Sequence, residues 1–74
     1  MEVNVKLFAT LREGRFKAEK TELKNNSRVI DVIEKYDLPL EEVAICYVNG
    51  RDADNDHVLR DGDTVSLFPP VGGG

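Results

Sequence analysis

At 74 residues, 41% hydrophobic and 32% charged, the chain has room for one folded domain with one modest core. A formal charge of −4 argues against nucleic acid, which needs a basic face, and suits a partner with a basic docking surface. The single cysteine, Cys46, excludes an internal disulfide or a Cys/His zinc cluster and fits a reducing, cytoplasmic setting.

The opening MEVNVKLFATLRE sets Val3, Val5, Leu7 and Ala9 against Glu2, Asn4, Lys6, Phe8 and Thr10. That period of two predicts a half-buried strand and is neither a signal peptide nor a membrane span. Arg12-Glu13-Gly14-Arg15 reads as a turn, and Phe16 to Leu23 as a second, more polar strand closing a hairpin. Asn25-Asn26-Ser27 signals a helix start, with Ser27 as N-cap because its hydroxyl can accept from a free backbone N–H. Val29, Ile30, Val32, Ile33 and Tyr36 follow at helical spacing, so one stripe faces a core. Pro39 is expected to end the helix by pushing Leu38 out of helical geometry, with one further turn at Leu40-Glu41-Glu42-Val43.

Ala44-Ile45-Cys46-Tyr47-Val48 is a continuous apolar run, expected to be a central strand covered on both faces. Asn49-Gly50 signals a tight turn into a short return strand, Arg51 to Ala53. Arg60-Asp61-Gly62-Asp63 is another turn, and Thr64 to Phe68 the last strand, with Val65 and Leu67 on one face. The economical fold for these stripes is α+β, one main helix packed across a mixed sheet. It spans residues 1–68 and leaves 69–74 as an extended C-terminal tail.

Catalytic groups are thin. His57, the one histidine, sits in the polar stretch NDHVLRDGD with no Ser or Cys nucleophile beside it, and reads as a solvated loop residue. Cys46 lies in the most apolar strand and reads as a small hydrophobe. Asp52, Asp54 and Asp56 have calcium-loop spacing, but His57 stands where that motif needs Gly, and Asp63 where it needs a bidentate Glu. No metal site is expected.

Phe8 and Phe68 fall opposite the core-facing residues of their strands. If those strands are neighbours, the two rings share the outer face of the sheet as an apolar docking patch. Beyond Phe68 the chain reads Pro69-Pro70-Val71-Gly72-Gly73-Gly74. The prolines favour an extended exit, and the six residues can reach about 20 Å from the sheet. Glycines without Cβ atoms can thread a narrow channel, and what such a tail delivers is the Gly74 carboxylate.

VKLFATLRE, SRVIDVI, YVNG, LRDGDTVSLFPPV and the glycine end together resemble the ubiquitin-like sulfur carriers, the family of the molybdopterin synthase small subunit and the thiazole-synthesis carrier. The resemblance implies a β-grasp fold and a protein co-substrate rather than an enzyme, with no cofactor of its own. In the implied cycle an E1-like enzyme, consuming ATP and Mg²⁺, adenylates Gly74, and a sulfur donor converts it to a thiocarboxylate. Gly73 and Gly74 carry over as the functional pair, with Phe8, Phe68, Pro69, Pro70, Val71 and Gly72 as partner-binding residues. FPPV looks like the molybdopterin branch, which implies the molybdopterin synthase large subunit as the sulfur acceptor. Carriers for thiazole synthesis or tRNA thiolation, and modifiers joined to proteins through Gly74, share the scaffold. Neither a nucleic-acid nor a membrane partner is implied.

Overall fold

The structure is a computed structural model and describes residues 1–70. Five strands, β1 (Glu2–Leu7), β2 (Ala18–Glu22), β3 (Ile45–Val48), β4 (Arg51–Asp52) and β5 (Thr64–Phe68), form one sheet in the order β2-β1-β5-β3-β4. The helix α1 (Val29–Lys35) lies between β2 and β3 in the chain. β1 and β5 pair in parallel at the centre, while β2, β3 and β4 join antiparallel. This is the mixed sheet and single main helix of the β-grasp fold.

The two-residue period of β1 decides which face is buried. Val3, Val5 and Leu7 are wholly buried, and the register sets Val5 beside Val65 and Leu7 beside Leu67. Cys46 and Val48 of β3 continue the same face opposite Leu67 and Val65. The stripe Val29, Val32 and Ile33 of α1 completes the core with Leu11, Leu38 and Leu59. Each wholly buried Val or Leu contributes about 1.5–3 kcal/mol.

The structure corrects the sequence reading at several points. Ala9 does not continue β1. It is exposed, has φ +52°, and begins a 3₁₀ turn (Ala9–Arg12) that puts Leu11 into the core in its place. β2 is shorter than Phe16 to Leu23, and β4 stops at Asp52. β3 is covered on one face only, since a single helix covers a single side: Cys46 and Val48 are buried, while Ile45 is half-buried and Tyr47 exposed.

Ser27 is not the N-cap; Arg28 is. A β-bridge from Arg28 to Val58 keeps this segment extended one residue further. The first helical N–H groups find carbonyls in a distant loop, Val29 donating to His57 at 3.1 Å and Ile30 to Asn55 at 3.0 Å. Asp31 adds its carboxylate, which accepts the Arg28 N–H at 2.7 Å. At the other end α1 stops before Pro39 can act. Asp37 takes φ +52°, its N–H bonds Glu34 O at 3.1 Å, and the Leu38 N–H bonds Ile33 O at 3.0 Å. That is a Schellman motif with Leu38 and Ile33 buried together, and Asp where glycine is commonest.

Candidate functional site

The chain leaves the sheet at the end of β5 for a covalent reason. Phe68 O still accepts the Ala44 N–H at 2.9 Å, but Pro69 and Pro70 have no N–H to extend the ladder. Pro69 is half-buried and Pro70 exposed. Val71, Gly72, Gly73 and Gly74, the rest of the expected tail, lie outside the described residues.

At this exit the outer face carries an aromatic patch. The Phe8 N–H donates to Leu67 O at 3.2 Å, which extends the parallel register by one residue and sets Phe8 beside Phe68. The rings stack with centroids 4.2 Å apart and planes 13° from parallel. Tyr47 meets Phe68 edge-on at 5.6 Å, and Ile45 is its direct cross-strand partner. The Arg12 guanidinium lies 5.2 Å from the Phe8 centroid, anchored by its Nε–H donating to Leu7 O at 2.6 Å.

The structure thus brings together Phe8 and Phe68 as the sequence led us to expect, with Pro69 next to Phe68 in the chain, and adds Tyr47, Ile45 and Arg12. The first two additions were readable from β3: once Cys46 and Val48 point inward, Ile45 and Tyr47 must point outward. Nothing in the sequence signals Arg12, whose position depends on the 3₁₀ turn that Ala9 begins.

The alternative chemical centres hold no comparable arrangement. His57 is exposed, and its carbonyl serves α1. Burial, followed by the nearby Asp52 carboxylate, pushes the Cys46 thiol up to about 11, which keeps it protonated and unreactive at neutral pH. In the acidic loop Asp54 accepts the Asp56 N–H at 3.0 Å, an ordinary Asx turn, and Asp56 faces Arg28 at 3.9 Å. Among the described residues no three His, Cys, Asp or Glu side chains converge as a metal would need. No helix among them is long and apolar enough to cross a membrane.

The DGD segment, in contrast, is structural. Asp61 Oδ1 accepts the Glu2 N–H at 2.7 Å, the Gly62 N–H donates to Glu2 O at 2.7 Å, and Asp63 O accepts the Asn4 N–H at 2.8 Å. These bonds fix where β5 begins relative to β1, and so where it ends beside Phe8.

Comparisons with known proteins match the chain to one family and to solved structures of the same fold. The model of the ThiS family matches residues 5–74. No curated protein matches. Among solved structures, the chain is 36% identical to a putative molybdopterin converting factor, subunit 1, from Pyrococcus furiosus, covering 96% of this chain and 99% of that one with a TM-score of 0.75. It is 29% identical to a chain in a complex of subunits 1 and 2 of the molybdopterin-converting factor from Helicobacter pylori, covering 100% of both with a TM-score of 0.67. It is also 29% identical to small archaeal modifier protein 1 from Methanosarcina acetivorans, covering 99% of this chain and 96% of that one with a TM-score of 0.66.

Proposed function

The chain belongs to the ThiS family, and on that premise we propose that it is a sulfur carrier, a protein co-substrate whose reacting group is the Gly74 carboxylate. An E1-like enzyme binds the tail with ATP and Mg²⁺; the carboxylate attacks the α-phosphorus and pyrophosphate leaves. The resulting acyl adenylate is an activated mixed anhydride. A persulfide sulfur then displaces AMP, and a thiol cleaves the acyl disulfide to leave the thiocarboxylate.

The globule supplies none of the acid–base chemistry in this scheme. Its part is to hold the tail and to be held. The observation that carries the reading is the meeting of β5, the Phe8–Phe68 stack and the proline pair at one exit, within a chain that matches this family. Phe8, Phe68, Pro69 and Pro70 dock the partner, Val71 and Gly72 enter its channel, and Gly73 and Gly74 reach its active site. Glycine suits the last positions because no Cβ meets the channel wall.

The acceptor we favour is the large subunit of a molybdopterin synthase. FPPV before the glycines and 36% identity to the Pyrococcus furiosus protein support it over a thiazole or tRNA-thiolation acceptor. A cytoplasmic location fits the lone reduced cysteine. To test the branch, the thiocarboxylated protein is offered in turn to a molybdopterin synthase large subunit with its pterin precursor and to a thiazole synthase. Sulfur transfer in the first reaction alone is the expected result; transfer only in the second reverses the branch.

The similarity to small archaeal modifier protein 1 supports a second reading, in which the same activated Gly74 is joined to lysines of target proteins. Higher-mass conjugates bearing a glycine remnant on lysine would select it.

A further inference from the structure

The acidity of this chain is unevenly placed. From Val29 to Glu42, α1 and the segment after it expose Asp31, Glu34, Asp37, Glu41 and Glu42 against one cation, Lys35, whose Nζ–H donates to Glu22 O at 3.0 Å. The outer face of the sheet differs. Lys6 lies on β1 between Ala18 and Ser66, and Lys20 lies opposite Asn4, so the two lysines are diagonal neighbours. With Asn4, Ala18 and Thr64 they line a shallow trough of about 410 Å³.

Glu19 also borders the trough, but its carboxylate accepts the Tyr36 hydroxyl at 2.8 Å on the helix side of the edge strand. Among the described residues the one ion pair is Arg28 with Asp56, so neither lysine is matched by a carboxylate. Of the remaining acids of this face, Glu2 and Glu22 form the next pair beyond Asn4 and Lys20, beside Lys20 but at the end of the strands away from Lys6 and Phe8. Asp52 lies across the sheet beside Tyr47. Lys6 is two residues before Phe8 on the same side of its strand, which makes the trough continuous with the aromatic patch.

We propose that the Lys6–Lys20 trough is the second half of the docking surface and receives an acidic segment, Asp and Glu side chains on a loop or strand, of the adenylating partner that seats Phe8 and Phe68. The net charge alone points to a basic partner; the face that carries the tail points to an acidic one. Two unmatched cations beside an apolar anchor steer encounter and fix the rotation of the docked carrier, so that the tail enters the channel in one orientation. This inference rests on the carrier reading.

The test is ATP–pyrophosphate exchange by the E1-like enzyme of the same genome, titrated with carrier at low and at physiological salt. Lys6→Glu/Lys20→Glu is expected to raise KM about tenfold at low salt with kcat unchanged, and to flatten its salt dependence. Lys6→Gln/Lys20→Gln is expected to raise KM about threefold, and Glu34→Lys/Glu41→Lys to change it by less than about twofold. An unchanged or lowered KM in the lysine variants overturns the proposal, as does a larger effect from the helix-side pair. Should the Glu variant fail to fold by circular dichroism, the Gln variant decides alone. If the wild-type carrier supports no exchange, the carrier reading falls and takes this inference with it, an outcome distinct from failure of the lysine variants only.

Discussion

Asn49 and Asp63 bind two turns into one unit. The Asn49 amide donates to Asp63 Oδ1 at 2.8 Å, and its carbonyl oxygen accepts the Thr64 N–H at 2.9 Å. Asp63 Oδ2 also accepts the Arg60 N–H at 2.9 Å. Asn49 and Gly50 both have positive φ, +53° and +81°, the geometry of a two-residue hairpin turn. YVNG and DGD, separate in the sequence, are therefore one clamp on the start of β5.

Asp63→Ala removes the two carboxylate acceptors from that clamp and leaves the Asn49 oxygen on Thr64. Because the groups are near solvent, we expect a loss of about 1–2 kcal/mol in urea unfolding, with the slope against denaturant unchanged. A loss too small to measure would show that water replaces the clamp at no cost.

The Phe8–Phe68 stack is expected to contribute to both stability and docking. A double-mutant cycle with Phe8→Ala and Phe68→Ala should give a coupling of about 1 kcal/mol in unfolding free energy. Each single variant should raise the KM of the E1-like enzyme for the carrier by more than its small effect on stability can explain. Pyrophosphate-exchange kinetics at a temperature where all variants are folded separates the two effects.

Cys46 and Tyr36 make the fold sensitive to alkali. Burial raises the Cys46 thiol to about 11, with Asp52 adding to it, and burial also raises the Tyr36 hydroxyl, with Thr21 opposing and Glu19 reinforcing. A folded-state value above the unfolded one means that the native state binds the proton more tightly. The stability this supplies is therefore full below the unfolded value of about 9 for the thiol, and is lost as pH rises through about 11. Unfolding free energy should fall between about pH 9 and about pH 11, and fall less steeply in Cys46→Ala. Ellman's reagent at about pH 8 should label the folded thiol far more slowly than the unfolded one.

The central strands were the most legible part of the chain. In β1 and β5 the alternation of apolar and polar residues is a local property that the pleat of a strand translates directly into a buried face. The helix ends were not, because their determinants are remote or conformational. The caps of Val29 and Ile30 are carbonyls of His57 and Asn55, and the stop at Asp37 depends on an aspartate accepting φ +52°. The run Ala44 to Val48 misled in a more useful way. Its apolar residues serve two surfaces, Cys46 and Val48 the core and Ile45 and Tyr47 the outer patch. Composition cannot separate a strand buried on both faces from one that is half core and half docking surface. Phe8 and Phe68 were legible because parity alone sets them outside, whereas Arg12 reaches the patch through a turn with no local signature.

The most direct test of the carrier account is the intact mass of the protein after incubation with its E1-like enzyme, ATP, Mg²⁺ and a sulfur donor. The account predicts a gain equal to exchange of one oxygen for sulfur, located at Gly74 by fragmentation. Deletion of Gly74 should abolish it without a change in thermal unfolding, since the buried core runs from Val3 to Leu67. Neither the sulfur exchange nor an AMP adduct on the wild-type chain, with the enzyme active toward another carrier, would contradict the account.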